Sequence, residues 1–256
     1  MPKTKFHQLK DKYVASQEIR TDYQILSSNR VTGWSVNFPI VSTCRPSKVC
    51  AMTCYGLKGP ITWGSSLNKH ARNHLWCKSD PKGFAEQLEI ECKKNLKKNP
   101  DFYIRWNGVG DLFHESVEAL KILNKKLPDL PIWCVTRIPE QTTALANLNN
   151  VFIHFSLDKS SMKRREEVLK KFKKRPKNLF FSYQCDANER LKSIPSDISV
   201  LFFDQYKIPS ESKKFTESSA TCPLNLNEDI NGMCNRCRRC FDGSALASKT
   251  ESKAIN

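Results

Sequence analysis

The chain has 256 residues, of which 39% are hydrophobic, and carries 42 Lys and Arg against 26 Asp and Glu for a formal charge of +16. That length buries one good core and fits either a single α/β barrel-like domain or two small domains; the expectation is one main domain with a cysteine-rich tail. The polar, charged start MPKTKFHQLKDKYV and the lack of any apolar run near the roughly 18 to 20 residues that span a bilayer argue against a leader or an anchor, so the protein is expected to be soluble and cytoplasmic, with no membrane partner.

The first predicted element is a half-buried strand in which Trp34, Val36, Phe38 and Ile40 alternate with polar neighbours until Pro46 prevents continuation. A loop with Gly56, Gly59, Pro60 and Gly64 follows, and Ser79-Asp80-Pro81 is a start signal for a helix with Phe84, Leu88, Cys92 and Leu96 on one face. Strands and helices then alternate: a strand at 102–106, a helix carrying Val117, Leu120, Leu123 and Leu127, a strand at 131–135, a helix at 140–148, a strand at 151–155, a basic helix at 161–174, a strand at 179–183, a short helix near Leu191 and a strand at 198–203. Six short apolar strands with helical crossovers predict a parallel sheet of the α/β class, an open, partial βα barrel of about six units, because too little chain remains after residue 203 to close eight. The expected organisation is an N-terminal extension over 1–26, the partial barrel over 27–209, a linker and cysteine-rich metal-binding segment over 210–243, and a disordered tail over 244–256.

Seven of the eleven cysteines fall in two groups, Cys44, Cys50 and Cys54, then Cys222, Cys234, Cys237 and Cys240. In a reducing compartment soft thiolates at such spacing point to zinc or iron–sulfur rather than to disulfides. Three thiolates hold a cubane cluster with one iron left open, whereas four in the tail saturate a cubane or a zinc ion; the two groups could also converge on one cluster. Cys92 and Cys134 read as core, and Cys185 as a strand-end thiol next to Asp186. His70, His74 and Cys77 share a helical face, a pattern expected by chance on a basic helix. Ligands of parallel α/β folds gather at the carboxyl ends of the strands, where Asn107 to Asp111, Thr136, Arg137, Asp158, Gln184 and Asp204 all fall. The positive charge, densest over Lys163–Lys177, Lys93–Lys98 and the arginines among the last cysteines, predicts a nucleic-acid partner. Phosphate-loop, GxSxG and HExxH patterns are absent.

A three-cysteine loop after the first strand resembles the layout of radical S-adenosylmethionine enzymes, although five and three residues separate these cysteines where three and two are usual, and Tyr55 follows the last instead of preceding it. That resemblance implies a 4Fe-4S cluster on Cys44, Cys50 and Cys54, a glycine-acid segment Gly108-Val109-Gly110-Asp111 holding S-adenosylmethionine together with Asn107 and Asp158, and Asp111 and Arg137 in catalytic positions. It also implies a reductant protein and a 5′-deoxyadenosyl radical that abstracts hydrogen. SNR leading into TGWSVNFP, STCRPSKVCAMTCYG, RWNGVGDL, VTR, SLD and the CxxCxxC tail resemble the gene product eighty-eight family of phage and plasmid proteins over residues 27 to 242; a phage origin would make the compartment the host cytoplasm. The function expected is an iron–sulfur enzyme of radical S-adenosylmethionine type, with one or two clusters, acting on nucleic acid or a nucleotide-derived substrate. The alternatives are a non-catalytic nucleic-acid-binding protein stabilised by zinc or a cluster, and a redox or sulfur-transfer protein.

Overall fold

Asn29 turns the chain back on itself at the start of the ordered core: its side-chain oxygen accepts from the Val31 and Thr32 amides at 2.7 and 3.1 Å, pairing β1 (Ser27–Asn29) antiparallel with β2 (Gly33–Val36). The computed structural model describes residues 20–185, 197–203, 222, 234, 237 and 239–242. The alternation from Trp34 to Ile40 is not one strand. β2 ends at Val36, and Pro39, which has no amide hydrogen to give a neighbour, caps the one-turn helix α1 (Ile40–Thr43). Next come α2 (Lys48–Thr53), two 3-10 turns (Tyr55–Leu57 and Gly59–Thr62) and α3 (Gly64–Ser79), a helix where a loop was expected at its start.

The expected Asp80 start signal holds: Asp80 accepts from the Gly83 amide at 2.9 Å and opens α4 (Pro81–Lys98). Then follow β3 (Ile104–Trp106), α5 (His114–Lys126), β4 (Ile132–Thr136), α6 (Pro139–Leu145), β5 (Val151–Leu157), α7 (Lys163–Leu169), β6 (Leu179–Cys185), β7 (Ile198–Phe203) and, in the tail, α8 (Arg239–Asp242). The basic helix is thus shorter than expected and ends at Leu169. The helix expected near Leu191, the linker from 210 and the segment 244–256 lie outside the described residues.

All seven strands form one sheet in the order β1-β2-β3-β4-β5-β6-β7, and every pair after the first is parallel. β1 and β7 are both edges, so the sheet is not closed. A sequential parallel order with right-handed crossovers places the connecting helices on one face. There Val36, Trp106, Cys134, Ile153, Phe155 and Phe181 pack with Phe84, Leu88, Cys92, Leu120 and Leu123 of the helices in a single core. The opposite face carries Arg105 in register with Trp133, and Trp133 with Phe152; here Phe241 of α8 closes over Tyr103 and Trp133. Among the described residues no helix is long and apolar enough to cross a membrane.

Candidate functional site

The parallel strands end at one edge, and the segments that leave them enclose a cleft lined by Cys44, Cys50, Cys54, Asn107, Asp111 and Arg137, among others. The three cysteines arrive on a short, well-anchored stretch. Ser47 caps α2 by accepting from the Cys50 amide at 3.1 Å, and its hydroxyl donates to Asp158 Oδ2 at the end of β5. Asp158 in turn pairs with Arg137, the first residue after β4, at 2.6 Å, with both side chains almost wholly buried. Arg137 Nη2 donates to Gln184 Oε1 on β6 at 2.6 Å, and Gln184 Nε2 donates to Thr53 Oγ1 at the end of α2 at 3.0 Å. Both ends of the cysteine helix are therefore bolted to the sheet rim through the same ion pair. Burial opposes ionisation of Asp158, but the hydroxyls of Ser47 and Ser160 and the Arg137 guanidinium outweigh it and hold the carboxyl below its ordinary range.

The thiols are gathered. Burial raises the Cys44 thiol well above its usual range, and the nearby Asp111, Cys54 and Cys50 raise it further. Burial also pushes Cys50 up to about 11, against the opposing pull of Arg137. As donors they are soft and share one cleft, which fits a thiolate-bound metal group chemically; loading would have to displace their protons, so metal uptake rises with pH. Among the described residues, however, no three Cys, His, Asp or Glu side chains surround a common point closely enough for a single ion. A tetrahedral zinc would bring its sulfurs to within roughly 4 Å of each other, given bonds of about 2.3 Å.

The loop after β3 packs tightly on the segment after β2. Phe38 donates its amide to Val109 O at 2.9 Å, and Gly108 donates to Val36 O at 3.0 Å. A Cβ on Gly108 would lie 2.3 Å from Asn37 Oδ1, and one on Gly110, at φ 87°, 2.6 Å from Phe38 O. Both glycines are thus required by this backbone approach. Asp111 is buried and accepts from the Leu112 amide (2.7 Å), Thr136 Oγ1 (2.6 Å) and the Arg137 amide (3.1 Å). Burial nevertheless dominates and lifts its carboxyl to about 6. Asn107 lies just before this glycine segment. It takes the left-handed conformation at φ 59°, is 2% exposed, and neither its amide nitrogen nor its amide oxygen has a hydrogen-bond partner. A strained, unsatisfied side chain lining a cleft is costly to the fold and suited to a ligand.

The tail thiols form a second group on the other sheet face. Cys222 donates its amide to Leu201 O at 2.9 Å and Cys234 donates to Val31 O at 3.2 Å. Burial, then Cys222, Cys234 and Cys237 in that order, raise the Cys240 thiol well above its usual range. His154 lies under the tail with Nε2 2.8 Å from Cys240 O; burial lowers its pKa to about 4, so the neutral ring donates from Nε2. Between the two thiol groups stands Arg105. Its Nη2 donates to Tyr55 Oη at 3.0 Å, its guanidinium lies 4.6 Å from the Trp133 ring centroid, and its charge lowers the Cys234 and Cys240 thiols against burial. Tyr55 Oη donates to Gly108 O.

Sequence reasoning missed Ser47, Tyr55 and Arg105. A serine three residues before Cys50 is a cap signal, and an arginine inside the apolar run FYIRW is a signal for a buried charge with a partner. His70 and Cys77 are buried and His74 sits edge-on to Phe113 at 4.9 Å, so these three belong to packing. Asp204 and Asp186 lie outside the described residues. No curated protein and no solved structure matches the chain. The model of one protein family, described as Gene product 88, matches residues 8–243, and the chain belongs to that family.

Proposed function

For this member of the gene product 88 family we propose an iron–sulfur enzyme of radical S-adenosylmethionine type that acts on nucleic acid or a nucleotide-derived substrate. The observation that carries this reading is the meeting of three thiols, Cys44, Cys50 and Cys54, with the strained and unsatisfied Asn107 amide in one cleft at the strand ends. Three thiolates are one short of the four corners of a cubane, which leaves a coordination position for an external ligand. When bound, the cluster supplies an electron to the sulfonium of S-adenosylmethionine, delivered by a reductant protein, and the difficult chemistry belongs to the cofactor.

The chain's own residues place and dry that chemistry. Asn107 offers one donor and one acceptor to the ligand's polar groups, aimed by a backbone that Gly108 and Gly110 let close onto the β2 exit. Asp111 keeps a proton on its carboxyl below about pH 6 and, above that, presents a carboxylate towards the thiols. Arg137 and Asp158 act as positioning residues, since their polar atoms are engaged with each other and with the cysteine helix. The four tail thiols complete a second, closed site, either a cluster or zinc, that fastens the tail over the second sheet face. The net charge of +16 supports a polyanionic substrate.

The test is anaerobic purification with iron, sulfide and zinc quantified, followed by electron paramagnetic resonance with and without S-adenosylmethionine. About four irons per cubane and a signal perturbed by the cofactor support the reading. Zinc without sulfide, with salt-dependent nucleic-acid binding indifferent to S-adenosylmethionine, would replace it with a non-catalytic binding protein. Cys50→Ala should abolish the cofactor-dependent signal and leave tail-bound metal in place.

A further inference from the structure

From Tyr23 to Ser79 the chain contains no aspartate or glutamate and seven lysines and arginines. This stretch supplies β1, β2, the cysteine segment and α3, so one flank of the cleft contributes no carboxylate. Within it, the surface of residues 45–63 is unusual. Met52 is 69% exposed, Trp63 63% and Tyr55 52%, three of the four large hydrophobic side chains left exposed among the described residues. From the same segment Leu57 and Ile61 pack inward against Ile40, Leu67 and Val109, with Cys44 and Cys54, while these three side chains face outward. The Tyr55 ring is also held in place, its hydroxyl fixed between Gly108 O and Arg105.

Arg45, Lys48 and Lys58 are exposed on the same segment. Arg45 comes 3.9 Å from Glu140 in a solvent-open pair, which holds it weakly. Fixed or exposed ring faces interleaved with cations, on a segment that itself carries no acid, match what a single strand offers: bases that stack on aromatic side chains whatever their identity, and phosphates that follow the cations. A duplex keeps its bases stacked inside and cannot use the rings. We propose that the 45–63 surface is a single-stranded nucleic-acid platform beside the cleft, with Trp63 and Tyr55 stacking bases and Arg45, Lys48 and Lys58 holding phosphates. This names the form of the substrate and rests on the proposed function for its class.

The test uses the full chain, as purified and after metal removal, in fluorescence anisotropy with a labelled single strand of about 12 nucleotides and a duplex of the same length. The single strand should bind more tightly than the duplex. Trp63→Ala should weaken that binding about tenfold, whereas Trp63→Phe, which keeps a ring, should restore most of it. Lys48→Gln with Lys58→Gln should reduce the slope of log K against log salt by about 1.4, the share of two phosphate contacts on a single strand. The same double change at Lys97 and Lys98, at the far end of α4, should leave the slope unchanged. Trp63 is exposed, so its replacement should leave the thermal transition in place, which separates lost binding from lost folding.

Equal duplex binding, or no effect of Trp63→Ala, overturns the proposal. A surface on which only the charge changes matter serves an acidic protein partner instead. Failure here with an intact, cofactor-responsive cluster leaves the enzyme reading standing, while stacking-dependent binding by a protein without iron removes the enzyme reading and keeps the platform.

Discussion

Replacing Asn107 with glycine should make the protein more stable while blinding it to its ligand. The buried amide has a donor and an acceptor with no partner, and leaving such groups unsatisfied costs about 1–3 kcal/mol. The left-handed backbone at φ 59° costs a non-glycine residue up to about 1 kcal/mol more, asparagine less than most. Glycine removes both terms. Against them stand about 0.5–1 kcal/mol of extra unfolded-state freedom and a comparable loss of packing. The net expectation is a gain of about 1–2 kcal/mol, read in urea as a midpoint raised by about 0.5–1 M at a slope near 2 kcal/mol/M, with the slope unchanged. In parallel, the spectral response of the iron-loaded protein to S-adenosylmethionine should disappear. A loss of more than about 1 kcal/mol, or an unchanged response, would refute the assignment of Asn107 to a ligand and return it to the fold.

Arg137→Met should cost about 3–5 kcal/mol, because it strands the buried Asp158 carboxylate; adding Asp158→Leu should recover much of that in thermal denaturation. In the double variant the Cys50 thiol should still react faster with a thiol reagent, since Ser47 and Gln184 have lost their common anchor. Asp111 has a folded pKa raised from 3.8 to about 6, so the folded state binds its proton more tightly than the unfolded one. Its contribution is present in full below pH 4 and is lost as pH rises to about 6. Asp111→Asn should lack that slope in urea titrations at pH 4.5 and 7. Asp158, with its pKa lowered, loses stability in the opposite direction and only as pH falls below about 4. Gly110→Ala should cost at least about 2 kcal/mol, from a left-handed backbone and a Cβ 2.6 Å from Phe38 O. Gly64→Ala, with nothing within 4 Å, should be neutral or slightly stabilising by the same denaturation assay.

The succession of strands and helices from Ile104 to Cys185, and the strand at Ile198–Phe203, were legible because each apolar run is short and the crossovers between Ile104 and Cys185 carry helical stripes, and strand ends then located Asp111, Arg137 and Asp158. Three features were not. The alternation of Trp34, Val36, Phe38 and Ile40 has the period of a strand, yet Pro39 removes the hydrogen a ladder needs and a helical turn takes over. The roles of the rim residues depend on partners far away in sequence: Ser47 meets Asp158 across 111 positions and Gln184 meets Thr53 across 131. No local pattern encodes such pairings. Charge and cysteine spacing alone could not reveal that Arg105 stands between the two thiol groups, because that follows from the β3 register opposite Trp133.

Phe241 has a consequence for how this protein is made. It follows the whole sheet in sequence, yet it is the cork over Tyr103 and Trp133. Without it, those rings would face water. Shortened versions prepared for crystallisation should therefore keep every residue through Asp242, and any trimmed before Phe241 should be sticky, pulled down by chaperones or lost to inclusion bodies.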